Sequence, residues 1–147
     1  MMGNSKLVLV TGGARSGKSD FAERYAAVLP GRHAYVATAF VSDDEMARRI
    51  AIHRKRRPAS WATWEVPRHL PDVVDDLCKS ADVVLVDCLT IYFSNYLWDH
   101  DGESDDVLLD GALAELRTIL KAFRKAGVTA VLGYQMNWAA ASCPWNG

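Results

Sequence analysis

The stretch from Thr11 to Ser19 constrains the fold of this 147-residue chain more than any other. A short apolar run, residues 6–10, precedes it, and residues 20–29 have the character of a helix. Gly12 to Ser19 fits the pattern G-x-x-x-x-G-K-S in the strand–loop–helix setting that this pattern requires. The sequence therefore predicts a loop that binds phosphate groups.

The chemistry of such a loop follows from its residue types. Glycines let consecutive backbone N–H groups turn towards phosphate oxygens, and the start of the helix adds positive potential. Lys18 can reach the β- and γ-phosphates, and the Ser19 hydroxyl can bind Mg²⁺. The alternative is a glycine-rich turn that carries a lysine by chance. The predicted nucleotide-binding residues are Gly12, Gly13, Ala14, Arg15, Ser16, Gly17, Lys18 and Ser19.

Alternating strand-like and helix-like segments fill the rest of the chain to residue 132. The further strand-like segments are residues 32–38, 61–67, 81–87 and 128–132, and helical patterns cover residues 42–57, 70–78, 91–98 and 107–126. This alternation predicts an α/β fold, a P-loop NTPase-like parallel sheet flanked by helices in a single domain. Nucleotide is then expected at the carboxyl ends of the strands.

Asp87 ends the most continuous apolar run, residues 83–86. Such a run predicts a parallel strand that is buried on both faces. A carboxylate at its tip matches the Walker-B acid that holds a metal ion beside the phosphate loop. The alternative is a helix cap for the segment that begins at Leu89.

Composition limits the classes of partner. The chain is 50% apolar with a formal net charge of -1, so nothing indicates bulk nucleic-acid binding. No apolar run approaches the roughly 20 residues of a membrane span, and the start of the chain lacks the layout of a signal peptide. Cys78, Cys88 and Cys143 have no metal-site spacing. We expect reduced, mostly buried thiols in a cytoplasmic protein.

Basic residues crowd the end of the second helical pattern, residues 42–57, where Arg54, Lys55 and Arg56 follow His53. A solvated helix face and an anion site explain them equally well. On its own, a histidine among arginines is more often a surface residue.

Five segments together resemble the bifunctional adenosylcobinamide kinase / adenosylcobinamide-phosphate guanylyltransferase family of cobalamin synthesis. The resemblance covers residues 7 to 132. The matching segments are the phosphate loop, Tyr35–Thr38, the Asp44–Pro58 pattern D-E-M…R-I…H…R-P, the W-x-T-x-E pattern of Trp61, Thr63 and Glu65, and Asp87–Thr90 with Asn95.

The resemblance implies that the chain phosphorylates adenosylcobinamide with ATP or GTP, and then transfers GMP from GTP through a histidine. His53 matches that nucleophile. The resemblance also implies that Glu65 and Asp87 contact the guanosine nucleotide and its Mg²⁺, and that a trimer forms. It implies further that the strand end formed by Val36, Ala37 and Thr38 lines the site. Two alternatives stay open: another small-molecule P-loop kinase, and an inactive nucleotide-binding fragment.

Residues 133–147 depart from the pattern of that family, which continues with S/T-N-E-x-G-x-G-x-V-P. When the codons from Gly133 onward are read with two bases dropped, they force Glu-Leu-Gly and are compatible with this motif. We therefore expect residues 1–132 to form an incomplete P-loop domain that lacks its C-terminal elements, and residues 133–147 to be a frameshifted tail. On this expectation the chain is poorly folded and weakly active or inactive.

Overall fold

The computed structural model describes residues 5–13, 17–39, 44, 47–48, 51–52, 55 and 57–135. Its strands form one sheet in the order β1-β5-β4-β2-β3, and every pairing is parallel. The strands are β1 (Lys6–Gly12), β2 (His33–Ala37), β3 (Ala62–Glu65), β4 (Val83–Asp87) and β5 (Thr129–Gln135). The predicted α/β parallel sheet is confirmed.

Helices connect these strands and cover both faces of the sheet. In the described part of the chain they are α1 (Lys18–Ala27), α2 (Leu70–Ser80), α3 (Leu89–Asp99) and α4 (Asp105–Ala126). Between β2 and β3 the backbone is helical at the described residues 44, 47–48, 51–52 and 55, which agrees with the helix predicted there.

Strand β4 lies in the middle of the sheet, between β5 and β2. Its residues Val83–Val86 are at most 3% exposed, as expected of a strand covered on both faces. One face packs against α1 through a cluster that includes Tyr35 and Leu85, and the opposite face packs Val84 and Val86 against the other helices. The carboxylate of Asp87 is thus carried on the most rigidly held strand.

Helix α4 is amphipathic as predicted, but only its second half joins the core. Ile119 and Phe123 are fully buried, whereas Leu109 and Leu113 are 58% and 36% exposed. Among the described residues, those of α4 that belong to the core cluster all lie in the second half of the helix. Ser104 caps the start by accepting a hydrogen bond from the backbone N–H of Val107.

Strand β1 forms one edge of the sheet and pairs only with β5 among the described residues. Its outer part is apolar and open, since Leu7 is 50% and Leu9 is 60% exposed. Its partner β5 continues to Gln135, three residues beyond the predicted strand end. The additional residues Gly133 to Gln135 pair with Val10 to Gly12. Residues 136–147 lie outside the described residues. None of the described helices is long and apolar enough to cross a membrane.

Asn95 ties three elements together and offers a test of the fold. Its side-chain amide on α3 donates to the carbonyl oxygens of Thr38 and Pro67, each at 3.0 Å. We expect Asn95→Ala to lower the free energy of unfolding by roughly 2–4 kcal/mol, because two largely buried carbonyls lose their partner. The half-buried neighbour gives the control, and Ser94→Ala should stay within about 0.5 kcal/mol in urea denaturation. Equal stabilities of the two variants would contradict this role for Asn95.

Candidate active site at the carboxyl edge of the sheet

The end of the phosphate loop has the backbone that its sequence requires. Gly17 adopts φ +81°, in the left-handed region that favours glycine, and its carbonyl accepts the first helical hydrogen bond from Phe21 at 3.0 Å. No side chain among the described residues caps the start of α1. Its first N–H groups are therefore open to an anion. Ala14, Arg15 and Ser16 lie outside the described residues.

Asp87 and the first turn of α1 meet at this edge. The Asp87 carboxylate oxygens lie 3.4 and 3.5 Å from the Ser19 hydroxyl, which donates to them, and 3.8 Å from the Lys18 ammonium. The Lys18 and Asp87 side chains are only 9% and 18% exposed. Two residues of the phosphate loop are thus in contact with Asp87, which was predicted separately from the sequence.

Tyr35 is a fourth member of this cluster. Its hydroxyl donates to Asp87 Oδ2 at 2.7 Å. Burial, reinforced by the charge of Asp87 and by this hydrogen bond, raises the pKa of Tyr35 well above its ordinary value. The phenol therefore stays protonated and remains a hydrogen-bond donor at neutral pH.

Three candidate residues form a row across the strand ends. Ala37 on β2 is paired with Asp87 on one side and with Glu65 on the other. Neighbouring strands lie about 4.8 Å apart, so Glu65 is roughly 10 Å from Asp87 along the row. Val36, one residue earlier, is fully buried in the cluster on the opposite face of the sheet.

Thr38 braces the tip of β4 rather than presenting its side chain to the site. Its hydroxyl donates to the carbonyl of Cys88 and accepts from the N–H of Cys88, both at 2.8 Å. Its backbone N–H donates to the Asp87 carbonyl at 3.3 Å. A fully buried residue that makes these contacts fixes the backbone that directly follows the Asp87 side chain.

The alternative capping role of Asp87 is not seen. The residue at the cap position of α3 is Cys88, and no side chain caps that helix start. Cys88 itself is 2% exposed, and burial raises the pKa of its thiol, which therefore stays neutral. Cys78 is also a buried free thiol, with a pKa raised to about 11 mainly by burial. The expectation of reduced, buried thiols is met at both of these positions, and Cys143 lies outside the described residues.

The basic segment is only partly described. His53, Arg54 and Arg56 lie outside the described residues, and Lys55 is exposed. Arg57, which follows them, is 8% exposed, and its guanidinium carbon lies 3.5 Å from the centre of the Tyr35 ring. Beside it is a cavity of about 540 Å³, whose lining residues include Lys55, Arg57, Trp61 and Thr63.

Sequence reasoning missed Tyr35 and Arg57 as site residues. Tyr35 lies two residues before Ala37, which is paired with Asp87, so both side chains point to the face that carries α1. Because alternate residues of a strand share a face, the two-residue spacing could have indicated Tyr35 once β2 was placed beside β4. The position of Arg57 over the ring depends on tertiary packing, which no local pattern reports.

The donor set fits a magnesium ion. Mg²⁺ binds oxygen ligands at 2.0–2.1 Å and usually takes only one or two carboxylates together with phosphates and waters. Two oxygens bound to one such ion lie at most about 4.2 Å apart. The 3.5 Å between Ser19 Oγ and Asp87 Oδ1 falls within that span. No group of three or more histidine, cysteine, aspartate or glutamate residues that could hold a metal occurs in the described residues, so Ser19 and Asp87 would need phosphate oxygens and waters to complete the shell.

The fold and this cluster define a P-loop nucleotide-binding protein. The family is settled by sequence comparison, since the model for cobinamide kinase / cobinamide phosphate guanyltransferase matches residues 8–133. The chain belongs to that family.

Comparison with individual relatives supports the same family. The chain is 47% identical over 98 residues to the bifunctional adenosylcobalamin biosynthesis protein CobP of Pseudomonas aeruginosa, an alignment that covers 67% of the chain and 57% of that relative. It is 36% identical over 135 residues to the protein CobU of Escherichia coli, covering 86% of the chain and 72% of the relative. For CobU of Salmonella typhimurium the identity is 42% over 109 residues, covering 74% and 60%. The chain thus spans 57–72% of the lengths of these relatives.

Replacement of Asp87 tests the metal site. Asp87→Asn keeps the shape of the side chain but removes the charge beside Ser19 and Lys18. We expect Mg²⁺ to enhance nucleotide binding about tenfold less in this variant, measured by calorimetry with and without the ion. Asp82→Asn is the matched control, because Asp82 lies next to the opposite end of β4 in a surface ion pair with Arg32. If both variants keep the Mg²⁺ dependence of the parent protein, Asp87 is not a metal ligand.

Proposed function

We propose that this chain phosphorylates adenosylcobinamide with ATP or GTP and then transfers GMP from GTP to the product, forming adenosyl-GDP-cobinamide. Membership of the family supports both reactions. The observation that carries the proposal is the contact of Asp87 with Ser19 and Lys18 at the end of the phosphate loop.

In the first reaction the residues of this cluster act by placing charge. Lys18 offsets the negative charge of the β- and γ-phosphates, and the open N–H groups of α1 bind phosphate oxygens. Ser19 and Asp87 hold Mg²⁺, which when bound neutralises charge on the transferred phosphoryl group. The substrate hydroxyl attacks the γ-phosphorus, the bond to the β-phosphate oxygen breaks, and the hydroxyl proton leaves to solvent or a base.

In the second reaction His53 is the proposed nucleophile. A neutral imidazole nitrogen attacks the α-phosphorus of GTP, forming a phosphorus–nitrogen bond while pyrophosphate leaves. The phosphate of the first product then attacks the same phosphorus, and the imidazole is released. Arg54, Lys55 and Arg56 are the proposed cations that offset the pyrophosphate charge, and Glu65 is the proposed contact to the guanosine nucleotide.

The described histidines support this choice by their own contacts. A ring nitrogen of His33 lies 2.8 Å from the carbonyl oxygen of Ala26, and the ring stacks on Trp61. A ring nitrogen of His100 lies 2.8 Å from the carbonyl oxygen of Tyr96. His69 occupies the cap position of α2 with φ +60°. The position of each of these three histidines is thus explained by local structure.

Two variants separate the two reactions. Lys18→Ala should abolish both, because both need the phosphates of a bound nucleotide. His53→Ala should end GMP transfer and leave adenosylcobinamide phosphorylation measurable, since only the transfer needs the covalent intermediate. The measurement is incubation with α-labelled GTP, after which acid-labile label on the protein reports the covalent intermediate. We expect label on the parent protein, and more label on Lys18→Arg than on Lys18→Ala.

Other outcomes of that experiment identify the alternatives. Phosphorylation of a different small molecule without protein label would indicate another P-loop kinase. Nucleotide binding with neither reaction would indicate an inactive nucleotide-binding fragment. Label that persists in His53→Ala would refute His53 as the nucleophile.

We further propose a cytoplasmic homo-oligomer, with a trimer as the form that the family resemblance implies. The apolar residues left open at the end of α3 and the start of α4 support an assembly. Trp98 is 72% exposed and Leu109 is 58% exposed.

For residues 133–147 we propose a shifted reading frame. The family match ends at residue 133, where the codons allow the motif of the family in another frame. The test is resequencing of the source DNA across codon 133. We expect the source DNA to lack two bases, or to carry one more, relative to the present reading. An unaltered reading would refute a sequencing error.

A further inference from the structure

We infer that Tyr35 is a positioning residue of the nucleotide site, which holds the Asp87 carboxylate so that its other oxygen faces the metal ion. The inference rests on the proposed function only for the presence of a metal–nucleotide complex. It does not depend on the identity of the molecule that is phosphorylated.

The hydrogen bond from Tyr35 is the closest contact that the structure records for the Asp87 carboxylate. The Tyr35 hydroxyl lies 2.7 Å from Oδ2, whereas the Ser19 hydroxyl is 3.4 Å or more from either oxygen and the Lys18 ammonium is 3.8 Å from Oδ1. Hydrogen bonds to an ionised carboxylate are short and strong. Tyr35 therefore restrains Oδ2 and leaves Oδ1 turned towards Lys18 and the start of α1.

The sheet register explains why a tyrosine can do this. Tyr35 is paired with Leu85, and Asp87 is paired with Ala37, so Tyr35 and Asp87 are one row apart diagonally on the same face. The long side chain of tyrosine spans that step. Its ring is packed in the apolar cluster under α1 and is only 5% exposed, so its hydroxyl has a fixed direction.

Arg57 fixes the ring from the other side. The guanidinium carbon lies 3.5 Å from the ring centre, a distance typical of a cation–π contact. Arg57 is itself 92% buried, since only 8% of it is exposed. Through Tyr35, the segment that follows His53 in the chain is thus in physical contact with the carboxylate beside the phosphate loop.

A purely structural tyrosine is the competing explanation, and Tyr92 supplies the comparison. Its hydroxyl also donates to a carboxylate, Glu115 Oε1 at 2.9 Å, and accepts from the N–H of Leu70 at 3.0 Å. Tyr92 is 2% exposed and belongs to the cluster on the opposite face of the sheet. Tyr35→Phe and Tyr92→Phe therefore remove similar bonds, of which only one ends at the proposed metal ligand.

The experiment measures Mn²⁺ as a magnetic substitute for Mg²⁺. Variants of the 147-residue chain are titrated with Mn²⁺ in the presence of a non-hydrolysable GTP analogue and followed by electron paramagnetic resonance. We expect Tyr35→Phe to weaken Mn²⁺ binding about tenfold, the loss typical of one hydrogen bond to a charged group, and to change metal-free nucleotide binding less than about twofold. Both variants should melt at a lower temperature, and Tyr92→Phe should bind Mn²⁺ like the parent protein.

Three results would overturn the inference. They are unchanged or tighter Mn²⁺ binding in Tyr35→Phe, equal weakening in Tyr92→Phe, and an equal loss of metal-free nucleotide binding. Failure of the proposed function looks different. In that case the parent protein would not phosphorylate adenosylcobinamide, while the Mn²⁺ difference between the two variants would remain.

Discussion

The placement of one carboxylate at the tip of a fully buried strand governs the site. Strand β4 lies between β5 and β2 and packs on both faces, so its end cannot shift without disturbing the core. The backbone of Asp87 is therefore held in place by the strand that carries it. The connection from β1 through the phosphate loop brings the start of α1 to this carboxylate.

Two threonine hydroxyls extend this rigidity beyond the last paired residues. Thr38 both donates to and accepts from the backbone of Cys88, and Thr90 does the same with Gln135 at 3.1 and 2.8 Å. In each case the threonine hydroxyl makes the backbone hydrogen bonds that a neighbouring strand would otherwise make. The ends of β2, β4 and β5 are thereby joined at the edge where nucleotide is expected.

The sequence was informative where local pattern and chemistry coincide. The strand–loop–helix pattern around Gly17 and the apolar run before Asp87 predicted both the sheet and the meeting of Ser19 with Asp87. Contacts that arise from the strand order were not predictable, because the placement of β2 beside β4 decides that Tyr35 reaches Asp87. The helical pattern of residues 107–126 likewise gave no sign that the first half of the helix would lie outside the core, where Leu109 is 58% exposed. His53 remains a prediction.

The open edge of β1 has a consequence for the behaviour of the protein in solution. Among the described residues no strand pairs with the outer side of β1, and an edge strand with exposed leucines is a template for the addition of another strand. Since β1 leads directly into Gly12, any strand that pairs there would also stiffen the entry to the phosphate loop. If two chains associate through this edge, self-association and nucleotide binding are thermodynamically linked, and the apparent affinity for nucleotide then depends on protein concentration.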